Sequence, residues 1–244
     1  MKAILNILSA LMITAGLMIQ SAQAANILYF NDSPGDQDQM GIALGTFIGV
    51  HSVKTVTESK EFAEAINTGE YQLGIFMVQG KDASEYAGAI KTLGKFVSRG
   101  GLAIYTDWSR NNDYAPLFGV NWTEKYNMEQ VKVMPPLDTG IKNPIYLHDP
   151  GDRKFWSMGL KALEGSTVVA VFDKEEGAIV IAMQEKLGHA IVNGFLTDSM
   201  MDGKQGVKLF QNEINQLLPV PIPGTAVLVG SGLLGLVGLR RKRR

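Results

Sequence analysis

The 244-residue sequence contains no cysteine. That excludes a thiol nucleophile, a Cys-based zinc site, an iron–sulfur cluster and any disulfide, so stability must come from the core. Histidine is nearly as scarce: His51, His148 and His189 are scattered, with no H-x-x-H or H-E-x-x-H spacing to assemble a zinc site. No serine sits in a G-x-S-x-G elbow, and no G-x-G-x-x-G follows the first strand pattern. A G-x-x-x-x-G-K-[ST] phosphate loop is also missing, so no cofactor and no metal is expected. Nor is there a basic face in the middle of the chain. Setting aside Lys2 and the five basic residues at the C-terminus leaves 17 Lys and Arg against 24 Asp and Glu, a net charge of −7. An acidic domain argues against nucleic acid as a partner, because phosphate binding draws on clustered Lys and Arg.

What the sequence does have is concentrated at its two ends. Lys2 gives a basic start, Ile4 to Ile19 a nearly unbroken apolar segment, and Ala22-Gln23-Ala24 a small-x-small cleavage site before Ala25. Residues 1–24 therefore read as a signal peptide. At the other end, Val220-Pro221-Ile222-Pro223-Gly224-Thr225 precedes an apolar run from Ala226 to Leu239 and a basic cluster, Arg240-Arg241-Lys242-Arg243-Arg244. As a helix those 14 apolar residues span roughly 21 Å, short of the ~30 Å hydrocarbon core, so they engage a membrane only marginally. With the basic tail kept in the cytoplasm, the middle of the chain lies outside the inner membrane.

The tail resembles the PEP-CTERM segments that Gram-negative bacteria carry on exosortase substrates. Val220, Pro221, Pro223, Gly224 and Thr225 carry the likeness, with the Gly-rich stretch Gly230 to Leu239 and the Arg/Lys end. Ile222 departs from the pattern, which usually has Glu between the prolines. The resemblance implies signal peptidase and an exosortase-like enzyme as partners, transient membrane insertion, cleavage near the motif, and delivery to the cell surface or extracellular matrix. An ordinary C-terminal membrane anchor is the alternative.

Between the ends, residues 25–218 suffice for one well-packed domain. Strand patterns at Ile27–Phe30, Ser52–Val56, Leu73–Val78 and Leu102–Tyr105 alternate with helical ones at Gln37–Val50, Glu58–Asn67 (capped near Thr57) and Ser84–Ser98. Such alternation predicts a mainly parallel sheet with helices on both faces. The alternation then breaks. Residues 110–166 hold Pro116, Pro135, Pro136, Pro144 and Pro150 among aromatics, which predicts an irregular excursion with one helix around Arg153 to Leu163. Three strand patterns follow, Thr167–Phe172, Ala178–Met183 and Ala190–Phe195, separated by short Gly-ended turns that suit an antiparallel meander. A helix from Gly203 to Leu217 closes the domain.

This element order resembles the flavodoxin-like, class I glutamine amidotransferase-like fold: a three-layer α/β domain with a mainly parallel sheet and a late antiparallel meander. Ile27–Asp32, Phe96-Val97-Ser98-Arg99-Gly100-Gly101-Leu102, Leu117-Phe118-Gly119-Val120 and Gly188-His189-Ala190-Ile191-Val192-Asn193 carry the likeness. Enzymes of that family use a Cys on a sharp turn and a His after a late strand. Here there is no Cys, and Leu196-Thr197-Asp198 stands where the His belongs. The resemblance implies the scaffold without the amidotransferase reaction.

In a parallel sheet, ligand crevices open at the carboxyl ends of the strands. Those ends supply Asn31, Asp32, Gln79, Asp107, Trp108, Thr197 and Asp198 as candidate ligand-binding residues. Carboxylates that accept hydroxyl hydrogen bonds, beside an indole that can stack on a sugar ring, suit a polyhydroxylated ligand such as an extracellular polysaccharide. The plainer reading is that these residues cap the following helices. The loop with Asp32, Asp36 and Asp38 lacks EF-hand spacing and reads as a capping acidic turn. Three functions stay open: a non-catalytic binding or structural domain, a carbohydrate-active hydrolase using the strand-end carboxylates, and an assembly module acting through the aromatic residues of 110–166.

Overall fold

A computed structural model of the chain describes residues 24–34, 37–148, 157–173, 176–183 and 188–218. Residues 1–23 of the expected signal peptide, the expected sorting motif, the apolar run and the basic cluster lie outside the described residues. The first half runs β1 (Asn26–Asn31), α1 (Gln39–Gly45), β2 (Ser52–Val56), α2 (Ser59–Ile66), β3 (Leu73–Val78), α3 (Ala87–Val97) and β4 (Leu102–Asp107). The second half runs β5 (Val120–Tyr126), β6 (Gln130–Val133), β7 (Ile145–Tyr146), β8 (Met158–Ala162), β9 (Ser166–Phe172), β10 (Gly177–Met183), β11 (His189–Asn193) and α4 (Gly203–Leu217).

Hydrophobic sequence decides the strand order. β3 is buried along its whole length, as an unbroken apolar run in a parallel sheet must be, and it lies between β1 and β4. β2 exposes Ser52, Lys54 and Thr55 and takes the edge, where a lysine discourages further pairing. The parallel part reads β2-β1-β3-β4-β11, and the sheet continues antiparallel through β10, β9, β6 and β7.

Side chains alternate between two cores. On one face Ile27, Tyr29, Ile75, Met77, Ile104 and Ile191 meet Met40 and Leu44 of α1 and Leu209, Phe210 and Ile214 of α4. On the other, Leu28, Phe30, Phe76, Tyr105 and Val192 meet Phe62 and Ile66 of α2 and Ile90 and Leu93 of α3. Phe76 stacks on Phe30 at 4.4 Å between ring centroids and meets Phe62 edge-on at 4.8 Å. Aromatic pairs of this geometry contribute about 0.5–1.5 kcal/mol beyond their burial.

The region expected to be irregular is built into the sheet. β6 pairs with β9 and β7, while β5 and β8 form a ribbon attached to β10 through Gly177 and Leu160. The expected helix around Arg153 to Leu163 is not there from Met158 on: that stretch is strand β8, with Met158 and Leu160 buried and Lys161 exposed. The partners explain it. A Cβ on Gly194 would collide with the Met158 carbonyl oxygen, and one on Gly177 with that of Leu160. Two glycines from late in the sequence thus let the β8 backbone lie against the sheet. Residues 149–156, which include the start of that expected helix from Arg153, lie outside the described residues.

Helix ends differ in smaller ways. α2 is preceded by Glu58, which makes no side-chain cap bond, and not by the expected Thr57 cap. The first turn of the helix expected at Ser84–Ser98 is a separate 3-10 turn, Ala83–Tyr86, capped by the Asp82 side chain. α3 ends at Val97, and the turn after it passes through Gly100, whose φ of 99° favours glycine.

Close backbone approach at Gly188 gives a stability test. A Cβ there would overlap the Gly101 carbonyl oxygen, whereas one on Gly88 in α3 meets nothing within 4 Å. Gly188→Ala is expected to lower stability by about 1–3 kcal/mol through forced backbone movement. Gly88→Ala should raise it by about 0.5–1 kcal/mol. Urea denaturation of both variants checks the contrast.

Candidate functional site

β1, β3, β4 and β11 are neighbours, so their carboxyl ends converge. Asn31 and Asp32 leave β1, Gln79 leaves β3, Asp107 and Trp108 leave β4, and Thr197 follows β11 by a short turn. The structure joins several of these residues directly. Gln79 accepts the Thr197 backbone N–H on Oε1 at 2.6 Å and donates from Nε2 to Asn31 Oδ1 at 2.7 Å. Asn31 donates in turn to the Tyr29 hydroxyl at 3.0 Å, and Tyr29 donates to Asp38 Oδ2 at 2.7 Å. The path closes on itself, because the backbone N–H of Gln39, next to Asp38, donates to the Thr197 carbonyl at 3.0 Å. Burial first, and the Asp38 carboxylate second, push the Tyr29 phenol well above its usual range, so it stays a donor.

Asp32 is held separately. Its Oδ1 accepts from the backbone N–H groups of Gln79 at 2.7 Å and Gly80 at 3.0 Å, and Oδ2 from that of Lys81 at 3.0 Å. Three successive amides turned toward one carboxylate form an anion-binding nest, and the chain fills it with its own side chain.

Asp107 is fully buried. Its Oδ1 accepts from the Ser109 N–H at 2.9 Å and from the Ser109 hydroxyl at 2.5 Å, and Oδ2 from the Asn111 N–H at 2.9 Å. Burial pushes this carboxyl above the ordinary range, while the bonds from Ser109 and Asn111 pull it back. The Ser109 oxygen also accepts the Ala83 N–H at 3.1 Å. Trp108 donates its indole N–H to the Lys81 carbonyl, which ties the β4 loop to the β3 loop. Asp198 lies beside Thr197, half-buried.

Chemically, the edge is organised to hold loops. Asp32 and Asp107 direct their oxygens at backbone amides, and Asp38 takes the Gly41 N–H as the α1 cap besides the Tyr29 hydroxyl. Among the described residues no group of His, Asp and Glu is placed to hold a metal ion. His51 is buried and accepts the Ala25 N–H on Nδ1 at 3.1 Å, and burial lowers its pKa. Ala25 thus belongs to the folded domain.

Reading the sequence for strand ends missed Tyr29, which points from within β1, and Ser109, which follows Asp107 by two residues. It also missed Glu213. This residue sits on the apolar side of α4 near Phe210 and Ile214, and its helical period was the available signal. Fully buried, Glu213 receives one hydrogen bond, from Asn193 Nδ2 to Oε2 at 3.0 Å, while its Oε1 and the Asn193 Oδ1 find no partner. Burial pushes its carboxyl up to about 8, with the Asn193 bond opposing.

In architecture the chain is similar to a protein from Thermoplasma acidophilum that is provisionally named as part of a GMP synthase. The TM-score is 0.54 at 11% sequence identity, over 79% of this chain and 94% of that one. A glutamine amidotransferase from Thermotoga maritima aligns with a TM-score of 0.48 at 10% identity, over 82% of this chain and 87% of that one. At such identities the likeness concerns the fold alone, which is a mixed α/β sheet of the glutamine amidotransferase-like kind. No protein-family model and no curated protein matches the sequence.

Two outcomes test this account of the site. Asp32→Ala is expected to cost about 1–3 kcal/mol by leaving three amides without their carboxylate, and added acetate or formate should raise the variant's melting temperature more than that of the wild type. The second concerns Glu213, whose folded value near 8 exceeds the unfolded value of 4.5. Its stabilising contribution is complete below pH 4.5 and is lost as pH rises toward 8, at about 1.4 kcal/mol per pH unit. Glu213→Gln should flatten that slope in denaturation curves measured across the window.

Proposed function

We propose that the chain is an exported protein of the cell surface or extracellular matrix, whose α/β domain binds a polar ligand or builds matrix without catalysing a reaction. One observation carries the non-catalytic part: the buried or loop-held carboxylates at the strand ends, Asp32 and Asp107, are each engaged by backbone amides. An acid–base pair for glycoside hydrolysis needs one carboxyl free to give a proton and another free to attack or to activate water. The lack of cysteine removes the amidotransferase nucleophile from a scaffold that otherwise resembles those enzymes.

The address rests on the sequence ends. The Lys2 to Ala24 segment supports export, and Val220 to Thr225 with the apolar and basic residues behind it supports exosortase-type sorting through a transient membrane stage. Ligand binding, on this reading, would use the part of the edge around Trp108 and Asp198. A polysaccharide is the class that fits an indole beside polar groups.

Intact mass of the protein recovered from envelope and medium tests the address. The expected species begins at Ala25 and ends near the Val220–Thr225 motif; one that keeps Arg244 in the membrane fraction would make the tail a permanent anchor. Turnover of any polysaccharide that disappears in Asp107→Asn, in protein that remains folded, would overturn the non-catalytic reading.

A further inference from the structure

On the sheet face covered by α1 and α4, an open groove of about 1070 Å³ runs between the two helices. Its lining includes an apolar floor of Ile42 from α1, Met201 and Val207. Ile42 is 53% and Met201 60% exposed, among the most exposed large hydrophobic side chains of the described residues. At its rim stand Lys204 and Lys208. Among the described residues neither forms an ion pair, although Lys54, Lys60, Lys81 and Lys125 each do.

Both lysines are poorly placed for the helix that carries them. Lys204 lies in the first turn of α4, where the helix dipole disfavours a cation. Lys208 is four residues further on, where like charges repel. The Asp202 carboxylate lines the same groove, and its Oδ1 is engaged by the Lys204 and Gln205 N–H groups that it caps. Two lysines against one aspartate leave the described rim net positive, beside exposed apolar side chains, in a domain with excess negative charge.

We propose that this groove docks an acidic amphipathic segment of a partner protein, with its apolar side chains on Ile42, Met201 and Val207 and its carboxylates on Lys204 and Lys208. The charge of the rim selects the sign of the partner. The basic residues select the class: two lysines are fewer than the cluster with which a surface helix holds to anionic lipid, whereas exposed apolar side chains between two helices suit the apolar stripe of a peptide helix. This site is separate from the loop network of the strand ends, so it stands whether or not a polysaccharide binds there.

The full chain, titrated with a fluorescently labelled amphipathic peptide of leucine and glutamate in helical spacing, gives the test by anisotropy. Binding is expected to weaken as salt is raised, and to fall by at least about tenfold in Lys204→Glu/Lys208→Glu and again in Ile42→Asp. Amide shifts of the wild-type protein should map to α1 and α4, which keeps the test valid if a variant fails to fold. Equal binding of a leucine–lysine peptide, or amide shifts confined to other surfaces, would overturn the proposal. Capture of the protein by phosphatidylglycerol vesicles with no peptide binding would assign the groove to a membrane instead. Concentration-dependent self-association abolished by Ile42→Asp, again without peptide binding, would assign it to a second copy.

Discussion

The Thr197 N–H can only donate and the Asp38 Oδ2 accepts at the other end, and every hydrogen bond between them takes its direction from those two ends. Gln79 must turn its oxygen to Thr197, so its nitrogen meets Asn31. Asn31 must then offer its nitrogen to Tyr29, and the phenol must give its proton to Asp38. The chain of donors fixes three amide and hydroxyl orientations at once, and it links the β1, β3 and β11 ends to the start of α1. The relay fixes the edge of the sheet together with Asp32, which holds the loop after β3, and the Trp108 indole, which ties the β4 loop to it. A buried network of this kind is favourable only while every member is satisfied.

Much of the fold was legible because the parallel half writes its structure locally. Leu73–Val78 is apolar throughout and ends at a turn, and the strand occupies those same residues. Gly203–Leu217 shows one apolar stripe, and α4 matches it residue for residue. The late meander was also legible, since each of its strands pairs with the next one in sequence. β5, β6 and β8 were not. Their pairing partners are β8, β9 and β10, and a local pattern rich in proline and aromatics carries no trace of a partner so far along the chain. The position of the candidate residues could be read from strand ends, but their engagement could not. Whether Asp32 faces solvent or three amides depends on the path of the Gln79–Lys81 backbone, which no residue pattern reveals.

The two sheet faces divide the labour of the domain differently. Beneath α2 and α3 the core is aromatic and closed. The face under α1 and α4 includes Glu213 and Asn193, two polar groups that a purely structural layer would replace with leucine at lower cost. A neutral carboxyl held next to an amide keeps that layer specific in its packing, at the expense of tolerance to alkali. The same side of the molecule carries the exposed groove, so the more polar core and the more apolar surface lie back to back through a single helix.

Asp32 gives the carboxyl edge a character of its own. A row of three amides is the feature by which many proteins seize a phosphate or a carboxylate from solution. Here the socket holds a plug that is attached to the preceding strand, and no diffusing anion can compete with a group present at such high effective concentration. Shortening that one side chain would unplug it, which places a dormant anion receptor a single substitution away from a domain that now has none at this position.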